Sequence, residues 1–564
     1  TSDDKVLDDV VVTGIFHKRK DAYTGAVTTI TSEELKNFGN KNLITSIGNI
    51  DPAFNILTNN ELGSNPNRLP EIQIRGNANL PDLDNLQDNT KTDLNTPLIV
   101  LDGFEISLER LMDLNDDDVE SITLLKDGSA TAIYGSRGAN GVVVITRKAP
   151  KMGRLRLTYN GSLNIEAPDL TDYHLLNAAD KLELERRAGY YDMVDPQRDF
   201  NYKNKYAAIL KDVERGVDTD WMALPLRTGV GQRHNMRIEG GDASFRYSAS
   251  LQYNGVTGVM KGSNRNSFNG GINLTYRHQK LIFNNDLSIG HTRSKESPYG
   301  TFAQYTRLNP YWRPYDDNGE LIKMFDNDVN FWGTYSNLPT NPLYNATLRQ
   351  KNSTDYTNIT NNFAIEWRPF AGFIARGSLG ITWQDTESDN YKSAKHTDFE
   401  KDLYQTAEGA LRKGSYNYGT GKLMNYEAAL TLSYTHLFAK KHQLYTGLNA
   451  NVISKNSRNY YIQAEGFPDE DMDFLPSALQ YMKDGKPSGS EAKMRSVGLV
   501  GSVNYSYDNR YYADLAYRLD GSSQFGSDRR FAPFYSAGIG WNLHNERFLK
   551  NTKLFNLLKL RASF

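Results

Sequence analysis

From Arg154 to the last residue the side chains change character at every second position, and this restricts the fold more than any other feature of the chain. Phe245, Tyr247, Ala249, Leu251 and Tyr253 alternate with Arg246, Ser248, Ser250, Gln252 and Asn254. Phe268, Gly270, Ile272, Leu274 and Tyr276 do the same against Asn269, Gly271, Asn273 and Thr275, and the stretches 424–435 and 496–507 repeat it. A period of two puts alternate side chains on opposite faces of a strand. One face here is apolar with Tyr or Phe near its ends; the other is Asn, Ser, Thr, Gln and charge. That is the lipid-out, lumen-in pattern of a transmembrane antiparallel β-barrel with aromatic girdles.

The connections support the same architecture. Short joins at Gly240–Ala243, His278–Lys280, Pro369–Gly372, Ala439–Lys441 and Asp508–Asn509 alternate with long ones at Glu166–Gln232, Thr292–Tyr356, Asp385–Lys422 and Ser454–Lys493. Briefer joins on the long side fall at Gly255–Asn266 and Asp520–Arg530. Short periplasmic turns alternating with long outer loops characterise outer-membrane barrels. The pattern predicts roughly thirteen strands, the last at Leu558–Phe564. Single-chain bacterial barrels have an even number, so the expectation is the front part of a longer barrel.

Residues 1–150 have a different texture. Thr31–Glu34 reads as a capping box opening a short helix, and Leu43–Ile50 continues a helical pattern. Strand-like runs follow at Glu71–Arg75, Pro97–Leu101, Ser121–Lys126 and Gly141–Arg147, with helix-sized pieces near Leu108–Met112 and Ser129–Tyr134. This is the pattern of a small α/β domain with its own core. The expected division is an N-terminal segment 1–30, an α/β domain 31–150 and a barrel part 151–564, with Lys148–Gly153 as boundary.

Composition excludes several classes. A near balance of 65 basic and 67 acidic residues argues against a nucleic-acid binder, and with no cysteine there is no disulfide, thiolate metal site or thiol nucleophile. The mean hydropathy is -0.61, and no apolar run reaches the roughly 20 residues of a membrane helix. None of the 9 His residues begins a His-Glu-x-x-His motif, and there is no Gly-x-Ser-x-Gly elbow; no enzyme and no cofactor are expected. The chain opens on Thr1-Ser-Asp-Asp-Lys5 without a basic start and apolar run, which fits a processed chain.

The stretch Asp118–Arg147 (DVESITLLKDGSATAIYGSRGANGVVVITR) resembles the plug signature of the SusC/RagA family, TonB-dependent outer-membrane transporters of Bacteroidetes-type bacteria. Ile72–Gly76, Leu98–Gly103, Thr24–Val27, Asn309–Gly319 and Asn341–Tyr344 fit the same family. The resemblance implies a barrel of 22 strands around an internal plug, of which this chain would hold about the first 13. It also implies a SusD-like lipoprotein lid, the TonB–ExbB–ExbD energy complex, an oligosaccharide or peptide substrate, a lipid surround, and a dimer of transporter–lipoprotein pairs. Glycan import is the expected activity. Oligopeptide import, or a siderophore or vitamin receptor without a lid, are the alternatives.

The candidate residues follow from these matches. Asp8, Asp9, Val10, Val11, Val12 and Thr13 match the TonB-box region, and β-branched residues near a terminus suit strand addition to a partner's sheet edge. Arg75, Gly76, Asp102, Gly103, Lys126, Tyr134, Gly135, Arg137, Gly138 and Gly141 match the plug signature. Arg75, Lys126 and Arg137 are expected to pair with inward carboxylates of the barrel, as anchors. Gly135, Gly138 and Gly141 echo a phosphate loop, but a strand follows them rather than a helix; tight turns where plug meets wall are expected instead. The insert 81–93, with Asp82, Asp84, Asp88 and Asp93, lacks the alternate spacing and terminal Glu of a calcium loop. A solvated plug loop is expected, with Asn77, Asn79 and Asp82 facing substrate by position. Trp312 and Trp332, in an aromatic-rich loop, are candidates for stacking on a substrate, against a purely architectural role.

Overall fold

A computed structural model of the chain describes residues 10–19, 23–37, 42–57, 64–74, 96–526, 528, 530–549 and 558–564. The candidates Asp8, Asp9, Arg75, Gly76, Asn77, Asn79 and Asp82 lie outside the described residues, as does the whole insert 81–93.

The N-terminal part begins with a hairpin of β1 (Val10–Val12) and β2 (His17–Arg19). Strands β3 (Val27–Thr31), β6 (Leu98–Leu101), β7 (Phe104–Ile106), β8 (Val119–Leu125) and β9 (Val142–Arg147) form a five-stranded sheet in the order β3-β8-β9-β6-β7, with β6 and β9 parallel. A second small sheet pairs β4 (Phe54–Leu57) with β5 (Glu71–Ile74). The Thr31 capping box forms: the Glu34 carboxylate accepts from the Thr31 amide at 2.7 Å, and the Thr31 hydroxyl accepts from the Glu34 amide at 3.3 Å. The helix Leu43–Ile50 buries Leu43, Ile44 and Ile47 against Ile122, Leu124, Val143 and Ile145 of the sheet. Burial of these side chains supplies the domain's cohesion, at about 1.5–3 kcal/mol each.

The rest is one antiparallel sheet. It runs β10 (Gly153–Glu166), β11 (Gly229–Gly241), β12 (Phe245–Thr257), β13 (Asn264–His278), β14 (Leu281–Lys295), β15 (Gln350–Trp367), β16 (Phe373–Lys392), β17 (Ser415–Phe438) and β18 (His442–Glu465). It continues through β20 (Ser488–Tyr507), β21 (Tyr511–Ser522), β22 (Phe531–Asn542) and β23 (Lys559–Ser563), while β19 (Gln480–Tyr481) pairs only with β18. The path therefore holds thirteen strands, each paired with its sequence neighbour along it. The burial pattern inverts that of a water-soluble protein. Leu251, Leu430, Leu448 and Leu515 are more than half exposed, whereas their polar neighbours Gln252, Asn449 and Asp514 are buried. Lipid on one side and the N-terminal domain on the other account for both. No helix among the described residues is long and apolar enough to cross a membrane, which says nothing of strands.

Several connections differ from expectation. Strands β16 and β17 extend through Lys392 and from Ser415 into what the sequence reads as the loop Asp385–Lys422, β18 and β20 extend through Glu465 and from Ser488 into Ser454–Lys493, and β14 and β15 extend through Lys295 and from Gln350 into Thr292–Tyr356. Above the lipid band both faces meet polar surroundings, so the alternation fades while the hydrogen-bonded ladder continues. The join 543–558 is long although it lies at the short-turn end; Asn542 anchors its start by donating to the Asn509 carbonyl at 3.0 Å. The short turns are otherwise tight: Asp508 and Asn509 both take positive φ (51° and 54°), matching the twist of the strands they join.

The long connections fold on one another. Trp221, Phe302, Tyr305 and Leu343 form a core there, with Trp312 packed against it. The matched segments Asn309–Gly319 and Asn341–Tyr344 interlock, because the buried Asn341 amide donates to the carbonyls of Pro314 and Ile322 at 3.0 and 2.8 Å.

Candidate functional site

The site is the contact between the N-terminal domain and the inner face of the wall. Charge pairs dominate it. The Asp113 carboxylate, at the end of helix Leu108–Met112, is buried against Arg265 of β13 (3.0 Å), the Thr292 hydroxyl of β14 (3.1 Å) and Tyr356 of β15. Asp116 and Asp118 meet Arg233 and Arg237 of β11, the latter at 2.9 Å. In the opposite sense, Arg147 of β9 reaches Asp286 of β14 at 2.8 Å while also holding Asp102 at 2.6 Å. Burial alone would lower the Arg147 pKa, but the two carboxylates more than offset it and hold the guanidinium firmly charged. Glu105 of β7 bridges Lys455 of β18 (2.5 Å) and Arg137 (3.0 Å). Burial pushes its carboxyl up, and the two cations bring it below the usual range.

Asp102 also supplies a turn. It and Gly103 take positive φ (52° and 92°) between β6 and β7, and the Asp102 carboxylate accepts from the Arg147 amide at 2.9 Å. Tyr134 and Gly135 lie where the domain meets β20 and β21. At Gly135 φ is +61°, and a Cβ would stand 1.8 Å from the Asp520 carboxylate, so only glycine fits. Arg518, held by Asp520 at 2.6 Å, donates to the Ile133 carbonyl at 2.8 Å.

The structure corrects several expectations. Lys126 pairs with Asp51, inside the N-terminal domain, and Arg137 pairs with Glu105 of the same domain. Among the described residues neither side chain forms an ion pair with a wall carboxylate: Arg137 lies near Glu427 of β17, but its ion-pair partner is Glu105 of its own domain. Of the three glycines only Gly135 faces the wall; Gly138 backs onto Thr131 and Tyr134, and Gly141 onto Ile74. Trp312 stacks on Phe325 (4.8 Å, 12°) within the loop core, and the Trp332 indole donates to Asp326 at 2.7 Å. Both rings serve the loop fold in this structure.

The N-terminal hairpin adds residues that sequence reasoning passed over. Lys18 is buried and bonds Asp514 of β21 at 2.8 Å. Phe16 packs beside Tyr445, Val500 and Ala516 of the wall, in a space left open by Gly447, where a Cβ would lie 2.6 Å from its ring. Phe104 uses Gly380 in the same way, also at 2.6 Å. The visible signal was a glycine at an inward position of an otherwise regular strand.

A domain seated in a wall through such contacts can be compared with known proteins. The TonB-dependent receptor plug domain family matches residues 19–142. Over its full length the chain is 27% identical to TonB-dependent receptor SusC of Bacteroides thetaiotaomicron, covering 53% of that protein. Along its whole length the chain is similar to TonB-dependent receptors of the SusC/RagA type. TonB-dependent receptor P39 of Formosa agariphila is 25% identical over 99% of this chain and 49% of its own length. In fold, the receptor matches the RagAB peptide transporter structure with a TM-score of 0.76 and 22% identity, over 96% of this chain and 60% of that one. The unliganded ferric citrate transporter FecA matches at a TM-score of 0.54 and 10% identity, over 93% and 61%. The receptor is an outer-membrane β-barrel protein with an internal plug, and the chain spans about half the length of the curated relatives it matches.

Proposed function

We propose that the receptor imports oligosaccharides, the products of glycan breakdown, across the outer membrane under TonB drive, with a SusD-like lipoprotein over its outer mouth. The observation that carries this reading is the plug's seat. Beside the apolar seats of Phe16 and Phe104, the contacts between plug and wall are largely ion pairs and hydrogen bonds that water can replace. Breaking such pairs one at a time is costly, whereas exchanging them together for water is far less so. A body held this way stays closed at rest and yields to a directed pull.

Residues 1–30 act as the TonB-recruiting segment, 31–150 as the plug and 151–564 as the first part of the wall. Asp8 to Thr13 would pair as an added strand with TonB, where backbone hydrogen bonds supply affinity. At rest Val10–Val12 pair with His17–Arg19, so recruitment requires this hairpin to open or to offer its other edge. Substrate above the plug would bias that opening, as two-state coupling demands. Asp82, Asn77 and Asn79 remain the positions we assign to the substrate side of the plug.

Oligopeptide import is the second reading, favoured by the fold shared with the RagAB peptide transporter. A lidless siderophore receptor is less well supported, since the ferric citrate transporter matches more distantly.

Deleting Asp8–Gly14 tests the mechanism: uptake should be lost while substrate binding persists, and unchanged uptake overturns the assignment. Mass spectrometry of ligands and proteins co-purified in mild detergent tests the substrate class. Bound oligosaccharide with a stoichiometric lipoprotein supports glycan import, and bound peptide moves the receptor to the second reading.

A further inference from the structure

The lipid-facing surface carries a feature that import does not use. On β17, β18 and β20 the outward rows run apolar through Tyr426 and Leu430, Leu448 and Val452, and Val497, Leu499 and Val503, all exposed. Toward the long-connection end the same rows turn cationic, at Lys422, Arg458, Lys493 and Arg495. Arg495 lies only two positions beyond Val497, about 7 Å along a strand, so the charge begins where the apolar band ends.

The register makes the cluster costly within the chain. Lys422 stands directly opposite Arg458, and like charges directly opposite on one face destabilise a sheet. Arg458 in turn faces Glu491. Glu491 is shared, bonding Arg458 at 3.0 Å and Lys493 at 3.2 Å. Among the described residues, neither Lys422 nor Arg495 has a carboxylate within ion-pair distance. The acids on β16 form a separate flank: Asp385 lies across from Lys422 without pairing to it, and Glu387 and Asp389 accept from the hydroxyls of Tyr418 (2.8 Å) and Tyr416 (2.5 Å). Arg458 and Lys493 remain 56% and 61% exposed.

We propose that this patch binds the phosphate groups of a bis-phosphorylated glycolipid of the outer leaflet, with its acyl chains lying on Tyr426, Val452, Val497 and Leu499. Three features specify that occupant. The cations adjoin a lipid-facing surface, so the ligand is amphiphilic. They lie at the outer-loop end, so it belongs to the outer leaflet. They span three neighbouring strands, roughly 10 Å at the usual strand spacing, which suits two phosphates on one headgroup better than a single phosphodiester. The bound phosphates relieve the Lys422–Arg458 repulsion, so the lipid stabilises the sheet that binds it.

The test compares the full-length receptor with a variant carrying Lys422→Gln, Arg458→Gln, Lys493→Gln and Arg495→Gln. Each is reconstituted in phosphatidylethanolamine vesicles containing lipid A or its dephosphorylated form, and retained lipid is read by native mass spectrometry after extraction. Four cations near a lipid surface are worth enough that the variant should retain lipid A about tenfold less or worse. The wild type should prefer lipid A over the dephosphorylated form by a similar factor. Equal retention by the variant overturns the proposal, as does equal binding of dephosphorylated lipid A. Equal displacement by phosphatidylglycerol overturns the choice of a glycolipid, and capture of an acidic protein with no lipid overturns a lipid site altogether. Heat-modifiable gel mobility reports folding of the variant, and the companion Lys422→Arg with Lys493→Arg should restore retention whatever the Gln variant does to assembly.

Discussion

The phenolic hydroxyl of Tyr134 donates to the main-chain carbonyl of Thr13 at 2.6 Å. Burial pushes the phenol's pKa well up, so it remains a neutral donor. Gly14 makes the approach possible, with φ +81° and a Cβ position only 2.2 Å from that hydroxyl. One residue before Tyr134, the Ile133 carbonyl takes its bond from Arg518 of the wall. One residue after it, Gly135 touches Asp520. Three successive plug residues thus hold the N-terminal turn on one side and the barrel on the other. A shift of this segment changes both contacts, which is the physical continuity that coupling between plug and TonB segment needs.

Tyr134→Phe leaves the Thr13 carbonyl buried without this partner, at a cost of about 1–3 kcal/mol. The turn 13–16 should then open roughly tenfold to a hundredfold more often. Hydrogen exchange at the Thr13 amide, which donates to the Phe16 carbonyl at 3.0 Å, measures it. An unchanged rate would show that Tyr134 does not restrain the hairpin.

Lys18 and Asp514 are 4% and 8% exposed, so either one left alone is an uncompensated buried charge. Lys18→Met is expected to destabilise the seated hairpin by about 3–5 kcal/mol, and adding Asp514→Leu should recover most of the loss. Protease cleavage between residues 10 and 19 reads the seating. Equal cleavage in the single and double variants would count against the pair as a latch.

The strands were legible because two different solvents act on one wall. Lipid selects Leu251 and Leu430 on one face, while a polar plug selects Gln252 and Asn449 on the other, and both demands have period two. The ladder beyond Asp385 was not legible, because polar surroundings on both faces remove the contrast. The plug helices were visible through local chemistry, the Thr31–Glu34 box above all. Its seat was not. Asp113 and Arg265 are 152 positions apart, and neither has a neighbouring residue that announces the other. Lys126 looked like an anchor for the wall because a lone cation in a motif gives no hint that Asp51 waits inside its own domain.

Gly380→Ala and Gly447→Ala test the keyed fit of plug to wall. Each added methyl would lie 2.6 Å from a ring carbon, of Phe104 and of Phe16 respectively. Overpacking of this kind costs about 1–3 kcal/mol. Because each ring belongs to the plug, the expected outcome is a barrel that still folds, with a plug released at lower urea concentration. Retention of the wild-type midpoint would mean that the rings turn aside at little cost.

His396 gives a pH dependence on the outer surface, in the connection between β16 and β17. Its Nδ1 accepts from the Asp398 amide at 3.0 Å and caps the turn Thr397–Glu400. Burial lowers its pKa to about 4; Asp398 opposes this, and Lys392, Lys401 and Lys323 add to it. The folded value therefore lies below the ordinary value of 6.5. The open turn takes up a proton first as pH falls, so the cap contributes fully above about pH 6.5 and is lost progressively toward about pH 4. A protonated Nδ1 also ceases to be an acceptor. The loss is on the order of 3 kcal/mol, and hydrogen exchange at the Asp398 amide, corrected for its intrinsic rate, should accelerate across that window. In His396→Gln, whose side-chain oxygen accepts at any pH, the acceleration should disappear; if it persists, the pH response belongs to a neighbouring group and not to His396.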